Sequence, residues 1–340
     1  MSVALVSLHV AVAHPGGSVH PTLEGLRTQT DTRCEVVLID NACQDRPVLW
    51  SQGNGPKFMT LRNFRDQGFV RAHNQAIASL LARVPKETHD RCWVGILSSR
   101  VVLAPDCVAA LLHTIAAHPD TTVCAPKIRA IHLETQDDRD DPTFVDTGMI
   151  VEAGRVLSKN LALIPRGEGE RDVGQYDAVD EGVFPGTLCL FVRVDALERA
   201  NIGHGWLDID LPETYAVADL LWRLERLGEP RMYIPHALAW TQYAAVSSLG
   251  LFARVRRWYS QEAVRVRLIK RYAAVVRIKN ATWSQLFWAT PRIVFFACFY
   301  RVRRCVEPSS SSAQTPSLRV FWRAWRARRS LQLAARASRR

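Results

Sequence analysis

No stretch of this 340-residue chain is apolar for long enough to cross a bilayer. A spanning helix needs about 20 apolar residues. The longest uninterrupted run in the aromatic-rich segment 251–300 is Ile293–Tyr300, and Pro291-Arg292 breaks its flank. The cysteines, at 34, 43, 92, 107, 124, 189, 298 and 305, include no C-x-x-C pair, which removes the usual spacing of a zinc site. Several stand in apolar runs, and they read as buried thiols in a reducing compartment, the cytoplasm. Acidic residues almost vanish after residue 240. Residues 241–340 hold 21 Lys+Arg against Glu262 and Glu307, a net of +19, which leaves 23 basic against 31 acidic residues, a net of −8, for residues 1–240. The body is acidic, and the basic end seeks phosphate, on anionic lipid or on nucleic acid.

At 48% apolar, the chain can bury a large core, enough for one α/β domain of roughly 240 residues. Val3 to Ala13 ends Ala-Val-Ala like a signal peptide but lacks a basic leader, and it reads as a first buried strand. Apolar runs near 3–9, 35–39, 57–61 and 92–97 alternate with helical patterns near 19–29, 68–83 and 105–117. That rhythm implies a mostly parallel sheet with helices on its faces. Ligands of such sheets bind beyond the carboxyl ends of the strands, where Asp40 and Ser98–Arg100 fall. The acidic run Asp137–Pro142 reads as a solvated loop rather than a metal site.

Further along, Val145–Val156 reads as a strand pair around Glu152-Ala153-Gly154-Arg155, and Val183–Val192 as another strand. Ala216–Leu227 reads as a helix stopped by Gly228. Val217, Leu220, Leu221, Leu224 and Leu227 form an apolar stripe along it, which makes Val217 a core position. Asp219 is off the stripe, and three readings stand for it: a carboxylate facing a cleft, a solvated helix carboxylate, or a partner for Arg223 four residues on. After residue 250, basic residues beside Trp, Phe and Tyr suit segments lying in a membrane interface. Pro308–Ser317 is a Ser/Pro linker, and Leu318–Arg340 a basic helical tail.

Three segments bear on chemistry. Ile39-Asp40-Asn41-Ala42-Cys43-Gln44-Asp45 follows the second strand, Gly68-Phe69-Val70-Arg71-Ala72-His73-Asn74 opens a helix, and Pro185-Gly186-Thr187-Leu188-Cys189-Leu190-Phe191-Val192-Arg193 lies before the acidic loop of the last helix. Singly, each has a plainer reading: Asp40 as a turn-capping carboxylate, Gly68 and Asn74 as helix entry, Gly186 as a close-packing strand glycine. In order and spacing they are similar to V-D-N-x-S-x-D, G-F-A-x-x-N-N and S-G-A-x-x-L-x-R-R of family 2 glycosyltransferases. The chain resembles bacterial rhamnosyltransferase-like members with the GT-A fold over residues 3–245. The resemblance implies donor contacts from Asp40, Asn41, Gly68 and Asn74, and an acceptor side with Gly186, Trp222 and Arg223.

Departures from the pattern fall on the catalytic positions. Where the family has N-P-D at the fourth strand end, this chain has Ser98-Ser99-Arg100. A carboxylate there holds Mg²⁺ or Mn²⁺ against a diphosphate, whereas a guanidinium repels a cation or contacts phosphate itself. The family's G-G-F-D-E-x-F-F-x-Y-x-E-D-x-D aligns without a gap from Gly205 to Asp219 and puts Ala216 and Val217 at the E-D pair. Its second residue is the family's general base, and valine takes no proton. The family's metal histidine position holds Thr241, while His236, five residues earlier, reads as a surface histidine.

These losses imply a catalytically silent homologue, a pseudoenzyme of cell-envelope polysaccharide or glycolipid assembly, peripheral to the inner face of the plasma membrane. Its expected partners are a UDP- or dTDP-linked sugar, the anionic membrane surface, and an active glycosyltransferase or other assembly protein, with no divalent metal. An active, metal-independent transferase is the alternative, in which Arg100 neutralises the diphosphate and Asp208, Asp210, Glu213 or Asp219 supplies the base. A nucleic-acid binder using the arginine-rich tail is the weaker alternative, since no reading module accompanies that tail. The expected division is a GT-A-like domain over 1–245, a basic, aromatic membrane-surface segment over 246–306, a linker over 307–317 and a tail over 318–340.

Overall fold

The structure, a computed structural model, describes residues 3–13, 20–43, 55–134, 143–158, 162–242 and scattered positions between 272 and 285. Gln44 and Asp45, the acidic run 137–142, Cys298 and Cys305, the Ser/Pro linker, the basic tail and most of the aromatic segment lie outside the described residues. The chain divides into two compact units, one of residues 1–155 and 165–248, the other of residues 156–164 and 249–340.

In chain order the elements are β1 (Leu5–Val12), α1 (His20–Arg27), β2 (Cys34–Asn41), β3 (Lys57–Asn63), α2 (Gly68–Arg83), β4 (Cys92–Leu97), β5 (Val101–Leu103) and α3 (Cys107–Ala117). There follow β6 (Val123–Glu134), β7 (Thr143–Glu152), β8 (Arg155–Leu157), β9 (Leu163–Pro165), β10 (Cys189–Arg193), α4 (Val194–Arg199), α5 (Glu213–Leu227) and β11 (Arg231–Gln242). The sheet of the first unit runs β3-β2-β1-β4-β10-β6-β11-β5, with β7 added on β6. β1, β2, β3, β4, β6 and β11 point one way, and β5, β7 and β10 run against them. This is the mixed, mostly parallel α/β architecture that the alternation of strands and helices implies.

β2 is buried along its whole length because it is covered on both faces, the reason its sequence is a continuous apolar run. Its alternating side chains divide between two layers: Val37 and Ile39 meet Ala72 and Ala76 of α2, while Val36 and Leu38 join a larger core with Leu111 and Ile115 of α3. β3 is the outer strand and is half exposed. The chain lays down β1, β2 and β3 in one direction and then crosses through α2 to β4 on the other side of β1. The boundary between β1 and β4 is therefore the topological switch point, where sheets of this kind open a crevice for ligands.

Two expectations need correction. The strand expected over 183–192 is continuous only over 189–193, with an isolated bridge from Phe184 to Arg155 before it, because Pro185 has no amide to donate and interrupts the run. The residues near 145–156 do form two strands, but not a pair: β7 bonds to β6, and β8 to β9. β5, β6 and the antiparallel direction of β10 were not legible from apolar runs, which carry no label for their partner.

In the second unit, β8 and β9 form a two-stranded ribbon closed by a 2.9 Å hydrogen bond from the Ser158 amide to the Ala162 carbonyl. Near residue 280, Asn280 Nδ2 donates to the Val276 carbonyl at 3.1 Å and the Ala281 amide to that of Arg277 at 2.8 Å, the reach of a helical turn. No helix among the described residues is long and apolar enough to cross a membrane.

Candidate functional site

The switch point is floored by the turn that joins β4 to β5. The Ser98 amide donates to the Leu188 carbonyl at 2.9 Å, the Val101 amide closes the turn on Ser98 at 3.1 Å, and Thr22 Oγ1 donates to the Ser99 carbonyl at 3.0 Å. Ser98 is buried and Arg100 is exposed at the turn's tip. Among the described residues, Arg100 has neither an ion-pair nor a hydrogen-bond partner. Thr241, which is 4% exposed, stands opposite Val101 in the β11–β5 ladder. The positions where the resemblance calls for a metal aspartate and a metal histidine therefore do come together, but they carry a guanidinium and an alcohol. Among the described residues no three His, Cys, Asp or Glu side chains gather to hold a metal. Arg100 brings no metal ligand to this point, and the Thr241 hydroxyl is a weak one. His236 is exposed on the irregular stretch of β11 between Ile234 and Leu238.

One strand beyond β1, at the end of β2, the polar groups are mostly spent on the protein itself. Asp40 is buried, its Oδ1 accepts the Cys43 amide at 2.9 Å, and its Oδ2 lies 3.6 Å from Arg62 Nε. Ala42 takes φ 65 within that turn. Asn41 Nδ2 donates to Asp66 Oδ1 at 2.6 Å, and its Oδ1 accepts Asn63 Nδ2 at 3.0 Å and the Gln67 amide at 3.1 Å. Asp66 Oδ1 also takes the Gly68 amide at 2.8 Å, which fixes the start of α2. Asp40, Asn41 and Gly68 thus form one corner. Asn74, a turn further along α2, grips another segment: Nδ2 donates to the Leu207 carbonyl at 2.8 Å and Oδ1 accepts the Trp206 and Leu207 amides at 3.1 and 2.9 Å. Gly205 is required beside it, with φ 143 and no room for a Cβ, which would fall 2.6 Å from Asn74 Nδ2.

On the acceptor side the expectations change most. Asp219 and Arg223 are 0% and 1% exposed and pair at 2.9 Å, so of the three readings of Asp219 the structure shows the i,i+4 partnership, and burial overturns the solvated carboxylate. Arg223 also donates to the carbonyls of Ala200 and Trp206, which ties α5 to the segment leading into it. Neither Arg223 nor the buried Trp222 offers an acceptor-binding surface, a correction that follows from their use as packing. Val217 is wholly buried. Asp208 is half-buried, with its Oδ1 accepting the Asp210 amide at 2.9 Å.

Gly186 leads to residues whose mutual contact the local sequence does not signal. A Cβ there would stand 2.6 Å from Glu152 Oε2, and the buried Glu152 carboxylate accepts the Thr187 amide at 3.1 and 3.3 Å while pairing with Arg155. The Thr187 hydroxyl is buried and, among the described residues, has no hydrogen-bond partner. Thr187 directly precedes Leu188, whose carbonyl accepts the Ser98 amide. Nothing in the local sequence signals a carboxylate reaching across to a loop more than thirty residues away.

The chain is similar to two solved structures of low identity. GalNAc-T7, solved with UDP, GalNAc and Mn²⁺, is 12% identical and aligns over 87% of this chain and 55% of its own, at a TM-score of 0.47, so this chain spans about half its length. The mannosyltransferase PcManGT from Pyrobaculum calidifontis, solved with GDP-Man and Mn²⁺, is 14% identical and aligns over 99% of this chain and 87% of its own, at a TM-score of 0.44. No family model matches the chain, and neither does any curated protein sequence.

Proposed function

We propose that the first unit is a nucleotide-sugar-binding domain of the GT-A, family 2 glycosyltransferase kind that keeps the donor crevice but not base-assisted sugar transfer. The observation that carries this reading is α5: the base position is the buried Val217, and the nearest carboxylate on the same helix, Asp219, is shut in a buried pair with Arg223. A group removed from solvent and committed to a guanidinium cannot reach an acceptor hydroxyl. The crevice between β1 and β4 supports the binding half of the reading, because its strand order reverses there.

On this reading the protein serves bacterial polysaccharide or glycolipid assembly as a silent partner of an active transferase, on the inner face of the plasma membrane. Residues 241–340, at net +19, supply the attraction to anionic lipid, about 1 kcal/mol for each basic side chain near the surface. The full chain should float with anionic vesicles at low salt and leave them as salt is raised. Salt-sensitive capture by RNA in place of vesicles supports the nucleic-acid alternative instead.

Full-length protein with UDP- and dTDP-sugars, with Mn²⁺ and with EDTA, should bind the donor and release no nucleoside diphosphate above a protein-free control. The half-buried Asp208 is the observation that favours active transfer. Release above the control that disappears in Asp208→Asn overturns the silent reading and establishes a metal-independent enzyme.

A further inference from the structure

We infer that the corner between β3 and α2 is the face by which the first unit meets an anionic lipid surface, with Phe64 entering the interface and arginines meeting the headgroups; this rests on the membrane reading above. It extends that reading from the basic end of the chain to the folded body. Phe64 is wholly exposed, at 101%, while no other large apolar side chain among the described residues exceeds the 76% of Val173. A single exposed ring is ordinary by itself. This one is held out by a fixed loop. Asn41 pins both ends of the loop, its Oδ1 accepting Asn63 Nδ2 at 3.0 Å and the Gln67 amide at 3.1 Å, and Asp66 Oδ1 between them takes Asn41 Nδ2 at 2.6 Å and the Gly68 amide at 2.8 Å. With the backbone fastened on either side, the ring stays in water until another surface covers it.

Charge indicates what that surface is. Residues 55–83 hold Lys57, Arg62, Arg65, Arg71 and Arg83 against Asp66 alone, five minus one or a net of +4, inside a body of net −8. An acidic body is repelled by anionic lipid except where it turns a basic face toward it. Arg65 follows Phe64 and Arg71 is the fourth residue of α2; both are exposed, and among the described residues neither has an ion-pair or hydrogen-bond partner. Arg62 is 49% exposed and 3.6 Å from Asp40. The one acid of the corner, Asp66, has its Oδ1 committed to Asn41 and Gly68. Single-stranded nucleic acid is held by successive aromatic faces on which bases stack, whereas Phe64 is the only exposed aromatic among the described residues of 55–83. One apolar tip with basic neighbours suits the lipid interface.

Flotation of the full chain with vesicles of phosphatidylcholine and phosphatidylserine, over a range of salt, tests this. Phe64→Ser should weaken binding about 10-fold at every salt concentration, because insertion of an apolar ring is not screened. Phe64→Trp should bind at least as tightly as wild type, since indole suits the interface. Arg65→Gln combined with Arg71→Gln should weaken binding about 10-fold at low salt and approach wild type as salt rises. Because these side chains are exposed, the thermal midpoint of every variant should match wild type, which separates a lost contact from a lost fold. Equal binding by wild type and Phe64→Ser overturns the inference and leaves the basic end of the chain as the membrane contact. Loss of UDP binding or of RNA capture in Phe64→Ser, with vesicle binding intact, also overturns it and gives the corner to a nucleotide. No vesicle binding by wild type overturns both the inference and the membrane reading.

Discussion

At the carboxyl end of β2, Asp40, Asn41 and Asp66 turn their polar atoms on one another and on nearby backbone, whereas at the carboxyl end of β4 the turn is held by main-chain bonds and one threonine while its arginine faces solvent. Both corners are shaped by hydrogen bonds that involve no ligand. They differ in what each would lose with its side chains. In the β2 corner the side chains are the scaffold, so a substitution there is a change of structure. In the β4 corner the side chain at the tip is free to vary, so its chemistry can change without the sheet noticing. This is how a guanidinium can stand at position 100, and a threonine at 241, without disturbing the strands around them.

The comparison is most sharply tested on α5, which belongs with the scaffold. Arg223→Ala strips a buried carboxylate of its partner and frees two carbonyls, and should cost about 3–5 kcal/mol in urea unfolding. A cost near zero would mean that Asp219 is solvated and available to a substrate after all.

Second in size is an effect of pH on the β1–α2 layer. Burial pushes His73 down from 6.5 to about 4, and burial, followed by the charges of His73 and Arg83, holds His9 well below its usual range. Burial thus favours the neutral form of both rings, His9 beside Ser7 at 3.0 Å and His73 with Nδ1 2.9 Å from the Phe69 carbonyl and Nε2 3.3 Å from that of His9, of which a neutral ring donates to one. As pH falls below 6.5 the unfolded chain takes up the proton first, so stability is full above that value and declines toward pH 4. For His73 alone the loss reaches on the order of 3 kcal/mol. Unfolding midpoints between pH 7.5 and 5.5 should fall in wild type and fall less steeply in His73→Gln, where His9 still contributes; an unchanged slope in the variant would place the titration elsewhere.

Asn74→Ala should follow, at about 1–3 kcal/mol, because it leaves the Trp206 and Leu207 backbone groups without the partner they have now. Faster amide exchange confined to residues near 205–207 would show that the loss is local. The smallest effect is expected at the other corner: Arg100→Ala should move stability by less than about 0.5 kcal/mol. A larger change there would erase the contrast between a scaffold corner and a variable one.

Much of this was legible in the sequence. Buried parallel strands read as apolar runs because both of their faces are covered, so β1, β2 and β4 were visible. α2 and α5 carried their own periodicity, and α5 its own glycine stop. The arginine at 100 and the valine at 217 were equally plain, since residue type is read directly from the sequence. Tertiary structure alone decided who meets whom. β7 left β8 for β6, β10 ran against its neighbours, Asp219 and Arg223 closed on each other in the core, and Glu152 crossed to Gly186 and Thr187. Each of these depends on contacts between residues far apart in the chain or on burial by another element, and a local pattern records how a side chain is spaced but not what arrives to cover it.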